Sequence, residues 1–200
     1  MADQTSTQAS SLGNLLGELI DHGMLEASLF AVLLLAGISI LYYTLRTGVP
    51  PMPSHPSARK AVFRLIPGDF SPVTIYELGC GWGGIAFELA ARYPAARVVA
   101  IELSPVPWFV CQIRRLFQRR LNLEIHRGDF LKSDLSDADL VFCYLMVAPM
   151  RGLQRKLVDD LQPGAVVITS TFALPDWKSE EVHTVPESMS ANVYRYRVPG

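Results

Sequence analysis

Three carboxylates, each separated from the next by about one strand–helix repeat, carry the chemistry of this sequence. Glu77 leads into Leu78-Gly79-Cys80-Gly81-Trp82-Gly83-Gly84, Glu102 follows, and Asp129 stands in Gly128-Asp129-Phe130. Glycines in such a run let the backbone turn sharply and approach a ligand with no Cβ in the way, while the NH groups of a following helix face it. Read literally, Gly79, Gly81 and Gly84 satisfy GxGxxG, so the loop by itself suits a nicotinamide dinucleotide as well as another adenosine-bearing cofactor. Glu77 shifts the balance. Beside a pyrophosphate it would add like charge, whereas beside a cofactor carrying an ammonium and a sulfonium it is complementary. Glu102 lies about 20 residues beyond the glycine loop, the spacing of a carboxylate that takes ribose hydroxyls. Asp129 can accept an adenine amino group, with Phe130 covering the ring. The cysteines Cys80, Cys111 and Cys143 form no CxxC pair and the four histidines are scattered, so neither a metal site nor a disulfide framework is encoded. No His/Asp or Cys/His arrangement points to covalent catalysis, and Cys80 reads as a small packing residue of the loop.

These residues act together only if strands deliver them to one edge. Apolar runs predict strands at Val73 to Leu78, Arg97 to Leu103, Leu123 to His126, Asp139 to Leu145 and Ala165 to Phe172. Helices are expected before and between them: a short one from Ala58 to Ile66, then Gly84 to Tyr93, Trp108 to Leu121 and Met150 to Leu161. Glu181 to Val185 and Asn192 to Val198 leave no room for a helix between them and should form an antiparallel hairpin. Alternating strands and helices imply a mostly parallel sheet covered on both faces, with ligands bound outside the carboxyl ends of the strands. Glu77, Glu102 and Asp129 all fall at such ends.

The order ExGxGxG, acid, Gly-Asp resembles class I S-adenosylmethionine-dependent methyltransferases over residues 49–200. The resemblance implies a Rossmann-like α/β fold with helices on both faces of a seven-stranded sheet whose last strand is antiparallel. It implies S-adenosylmethionine as cofactor, held by Glu77, Gly79, Cys80, Gly81, Gly83, Glu102, Leu103, Asp129 and Phe130. Further stretches, Asp139-Leu-Val-Phe-Cys-Tyr-Leu, Leu153-Gln-Arg-Lys-Leu, Pro163-Gly-Ala and Thr171-Phe172-Ala-Leu-Pro175-Asp-Trp177, with Trp108 after Ser104-Pro105, look like the membrane-associated protein-lysine methyltransferases of the ATP synthase c subunit and adenine nucleotide translocase. The chain departs from that pattern at Trp82, where the family often has an acid, at Ser104 to Trp108, two residues longer, and at Val49 to Pro53, a loose match to its substrate-side entry motif. For a lysine acceptor, a partly apolar pocket disfavours the ammonium. Tyr144, Phe172 and Trp177 are the expected walls, with a role in the core as the other reading of Phe172 and Trp177.

The chain has 200 residues, 50% hydrophobic and 18% charged, with a mean hydropathy of +0.22. One segment supplies most of that positive value. Ala27 to Leu45 carries no charge, and as a helix reaches about 28 Å, near the thickness of a bilayer core. The expected organisation is therefore a short N-terminus (1–26), a transmembrane helix (27–45), a proline-rich linker (46–57) and a methyltransferase domain (58–200). All 18 Lys and Arg follow the apolar run, which by the positive-inside rule puts the domain in the cytoplasm and the N-terminus outside. The expected partners are a membrane, crossed once, and a protein substrate, without nucleic acid or metal. A lipid-soluble small molecule such as a quinone precursor remains an alternative acceptor. A non-catalytic membrane scaffold and an NAD-binding oxidoreductase are the alternatives from other classes. Arg114, Arg115, Arg119 and Arg120 give one helix a basic face that could meet anionic lipid, orient an acidic substrate or simply be solvated.

Overall fold

The computed structural model describes residues 2–185 and 191–199, with side chains from His22 onward apart from that of Ala191. The chain divides into two compact units, residues 1–39 and 40–200. The first helix, α1 (Ala2–Thr47), is longer than the predicted span and takes in the stretch where Leu12, Leu15, Leu16, Leu19 and Ile20 recur at helical spacing. Within it His22–Thr47 is long and apolar enough to cross a membrane. It stops at Gly48, whose φ of +69° places it in the left-handed region and whose NH donates to Thr44 O at 2.8 Å.

The larger unit is built on a seven-stranded sheet ordered β3-β2-β1-β4-β5-β7-β6. Its strands are β1 (Thr74–Leu78), β2 (Arg97–Glu102), β3 (Leu123–Arg127), β4 (Leu140–Cys143), β5 (Val166–Ser170), β6 (Glu181–Val185) and β7 (Ala191–Arg197). β1 to β5 pair in parallel, and β7 runs antiparallel to both β5 and β6. The expected methyltransferase sheet is thus borne out, including its closing hairpin. The helices are α2 (Pro56–Leu65), α3 (Gly84–Arg92), α4 (Pro105–Gln118) and α5 (Val147–Asp160). α4 starts three residues before the predicted Trp108 because Pro105 occupies the first turn, where its missing NH costs nothing.

Alternation along the strands separates two cores. Ile75, Val98, Ala100, Leu123, Phe142 and Ile168 belong to the cluster shared with α2 and α3. Tyr76, Leu78, Val99, Val141, Cys143 and Val167 belong to the opposite one, shared with α5. Glu77 keeps the parity of Ile75, and Glu102 that of Val98 and Ala100, so both carboxylates project to the α2/α3 face. At the other end of β1, the Asp139 carboxylate accepts the Val73 and Thr74 NH groups at 2.7 and 2.9 Å, fixing the strand's start against β4.

Candidate active site

β1 and β4 are neighbours although β2 and β3 intervene in sequence, so the strand order reverses between them and a crevice opens beyond their carboxyl ends. A cavity of about 620 Å³ lies there. Of the residues expected to hold a cofactor, Glu77, Gly79, Cys80, Gly81, Glu102, Leu103, Asp129 and Phe130 line it, and so does Tyr144. Gly83 is set back from the wall. At φ +76°, a Cβ there would stand 2.9 Å from the Cys111 sulfur, so its role is to let α3 pack against α4.

Each carboxylate is held differently. Glu102 is buried, and its Oε2 accepts the Gly81 NH and its Oε1 the Ser104 NH, both at 2.7 Å. Burial pushes its carboxyl up, opposed by those backbone amides. Asp129 uses Oδ1 to accept the Leu131 NH at 3.0 Å, capping the turn at Phe130–Lys132. Glu77 is the most constrained. It is 4% exposed, its Oε2 has no hydrogen-bond partner among the described residues, and it lines the cavity. Burial raises its carboxyl well above the usual range, the charges of Cys111 and Glu102 add to this, and the Ala86 amide opposes it.

Phe172 and Trp177 are not brought to the cavity. Thr171, with φ +72°, reverses the chain just after β5, and Phe172 NH donates back to Ser170 O at 2.9 Å. Both aromatics then pack against the α5-side core, where the Trp177 ring lies 6.1 Å from that of Tyr196. Tyr144, at the end of β4, is the one of the three on the cavity wall.

Residues not expected to hold the cofactor or wall the acceptor pocket complete the lining. Arg59, on α2, forms an ion pair with Glu88, while its buried Nε has no partner among the described residues. Tyr43 and Thr47 come from the end of α1, and Val49 to Ser54 come from the proline-rich segment. That segment is part of the site: Trp82 Nε1 donates to Pro51 O at 2.7 Å, tying it to the glycine loop. The departure at Trp82 therefore has a structural role.

The donor set fits an amino-acid-bearing adenosyl cofactor. Glu77 and Arg59, each with a buried polar atom that has no hydrogen-bond partner among the described residues, both line this cavity, which matches a group bearing both an ammonium and a carboxylate.

Known proteins agree. Residues 77–181 match the family profile described as the ANTKMT methyltransferase domain. A protein-lysine N-methyltransferase of Saccharolobus islandicus is 28% identical over 162 residues, which is 74% of this chain and 94% of the relative. A crystal structure of an RNA methyltransferase from Salinibacter ruber in complex with S-adenosyl-L-homocysteine superposes with a TM-score of 0.67 at 26% identity, covering 74% of this chain and 94% of that one. TrmN from Thermus thermophilus shares the fold with a TM-score of 0.59 at 18% identity, over 70% of this chain and 48% of its own.

Proposed function

The chain belongs to the ANTKMT methyltransferase domain family, is an S-adenosylmethionine-dependent methyltransferase, and, we propose, N-methylates lysine of a membrane-associated protein while anchored by α1. The observation that carries this reading is the continuity of one cavity. Its lining runs from the strand-end carboxylates to the last turns of the apolar helix and the proline segment behind it. The lysine-specific name of the Saccharolobus islandicus relative supports the same acceptor.

S-adenosylmethionine supplies, when bound, a methyl group on a positively charged sulfur. On this proposal Glu102 takes the ribose hydroxyls, since each of its oxygens accepts one amide and retains a second lone pair. Asp129 offers Oδ2, which makes no hydrogen bond among the described residues, to the adenine amino group, and Phe130 covers the ring. Glu77 Oε2 receives the ammonium and Arg59 Nε the carboxylate of the methionine end. Tyr144, Tyr43 and the proline segment form a wall of low polarity that favours a lysine in its neutral amine form and keeps water from the methyl path. The remaining task is alignment of nucleophile and methyl group. The proton lost by the acceptor passes to solvent.

Incubating membranes that lack this chain with the purified protein and methyl-labelled cofactor tests the acceptor. Label is expected in the protein fraction. Label confined to the organic extract, or to RNA as the name of the Salinibacter ruber neighbour suggests, would overturn the lysine assignment.

A further inference from the structure

The face of α4 turned away from the sheet is apolar and uncovered. Phe109, Val110, Ile113, Leu116 and Phe117 fall within an arc about 120° wide on a helical projection. Leu121 follows just past the helix end. Leu116 is 76% exposed, Phe117 82% and Leu121 94%. On the opposite side Pro107 and Cys111 are buried. An apolar patch of this kind marks a surface that is covered in use.

Its charge setting identifies the cover. Between Pro105 and Leu121 there are four arginines and no acid. Arg114 is committed to the site, donating to Trp82 O at 3.2 Å and lying over the Phe87 ring. Arg115, Arg119 and Arg120 make no ion pair among the described residues. An apolar helical arc that runs into the unpaired cations Arg119 and Arg120 at the helix end is the pattern of an interfacial helix, with its apolar side in the headgroup boundary and its cations on anionic lipid. α4 also packs on β3, whose far end is tied to the end of the apolar helix where Arg127 donates to the Tyr43 hydroxyl at 3.4 Å.

We infer that α4 is a second membrane contact, docking the domain onto an anionic bilayer surface through Phe109, Ile113, Leu116 and Phe117. The inference rests on the reading that α1 enters a membrane, and the test separates the two. The full chain is reconstituted in phosphatidylcholine vesicles with or without phosphatidylglycerol, with a nitroxide at Phe117→Cys or, in a second sample, at Leu33→Cys in α1. Relaxation by oxygen and by a water-soluble nickel chelate reports whether each label lies in lipid or water. The Leu33 label should read lipid in both vesicles. The Phe117 label should read lipid only when phosphatidylglycerol is present, and the ratio of docked to undocked should fall about fivefold for Arg119→Gln. A Leu33 label in lipid with a Phe117 label in water in both vesicles would overturn the docking surface alone. A Phe117 label shielded from both reagents would overturn it too, by showing that protein covers the patch. A Leu33 label in water would overturn the anchor.

Discussion

Glu77 is unfavourable for stability where it stands, and on the proposed function that same setting serves binding. It is buried, one oxygen lacks a partner, and burial holds its carboxyl well above the usual range. Because the folded protein binds this proton more tightly than the unfolded chain does, the ligand-free protein loses stability as pH rises from the unfolded carboxylate range through the raised value. An ammonium placed against the carboxylate has the opposite preference, so affinity for S-adenosylhomocysteine should increase as pH rises through that same interval. Glu77→Gln should remove this dependence and weaken binding about tenfold to a hundredfold, as expected for one charge-assisted hydrogen bond. It should also leave the ligand-free protein at least as stable near neutral pH. Calorimetric titration across the acid-to-neutral range, paired with thermal melts, measures both. The carboxylates were legible in sequence because acids at successive strand ends are rare without a ligand. Arg59 was not, since nothing on an amphipathic helix tells which arginine turns inward.

Among the elements, those with strong periodicity were read correctly from the sequence, and most boundaries moved by one to three residues. The mostly parallel sheet followed because alternating strands and helices leave few ways to bury both faces. What could not be read was the path after β5. Thr171 adopts a left-handed conformation that a β-branched residue rarely takes, and it sends Phe172 and Trp177 into the α5-side core. Trp177→Ala is therefore expected to destabilise the protein by about 2 kcal/mol through lost packing, below the range for fully buried aromatics. It should leave S-adenosylhomocysteine affinity unchanged. A Tyr144→Ala protein should instead keep its melting temperature within a few degrees and lose methyl transfer. Parallel melts and titrations on the two variants would expose the reverse pattern if Trp177 belonged to the site.

At the scale of the whole molecule, the positive mean hydropathy belongs to one helix, and the residues just beyond that helix are part of the site wall. The sequence distinguished an apolar segment from a domain. It could not show that the proline run between them folds over the cavity, because that depends on the Trp82 to Pro51 hydrogen bond between segments distant in sequence. If α1 spans a bilayer, the protein should stay with membranes through both high-salt and alkaline carbonate washes, and release by carbonate would place it at the surface only. On the proposed function, the carboxylates at the ends of β1, β2 and β3 hold S-adenosylmethionine, and every other role follows from that. Titration of S-adenosylhomocysteine into the full chain in detergent, beside Glu102→Ala, tests it directly. The wild type should bind one equivalent and not bind NADH, while Glu102→Ala, which loses the acceptor for both Gly81 and Ser104 amides as well as for ribose, should bind at least tenfold more weakly. Full affinity in Glu102→Ala, or binding of NADH in place of S-adenosylhomocysteine, would contradict the account.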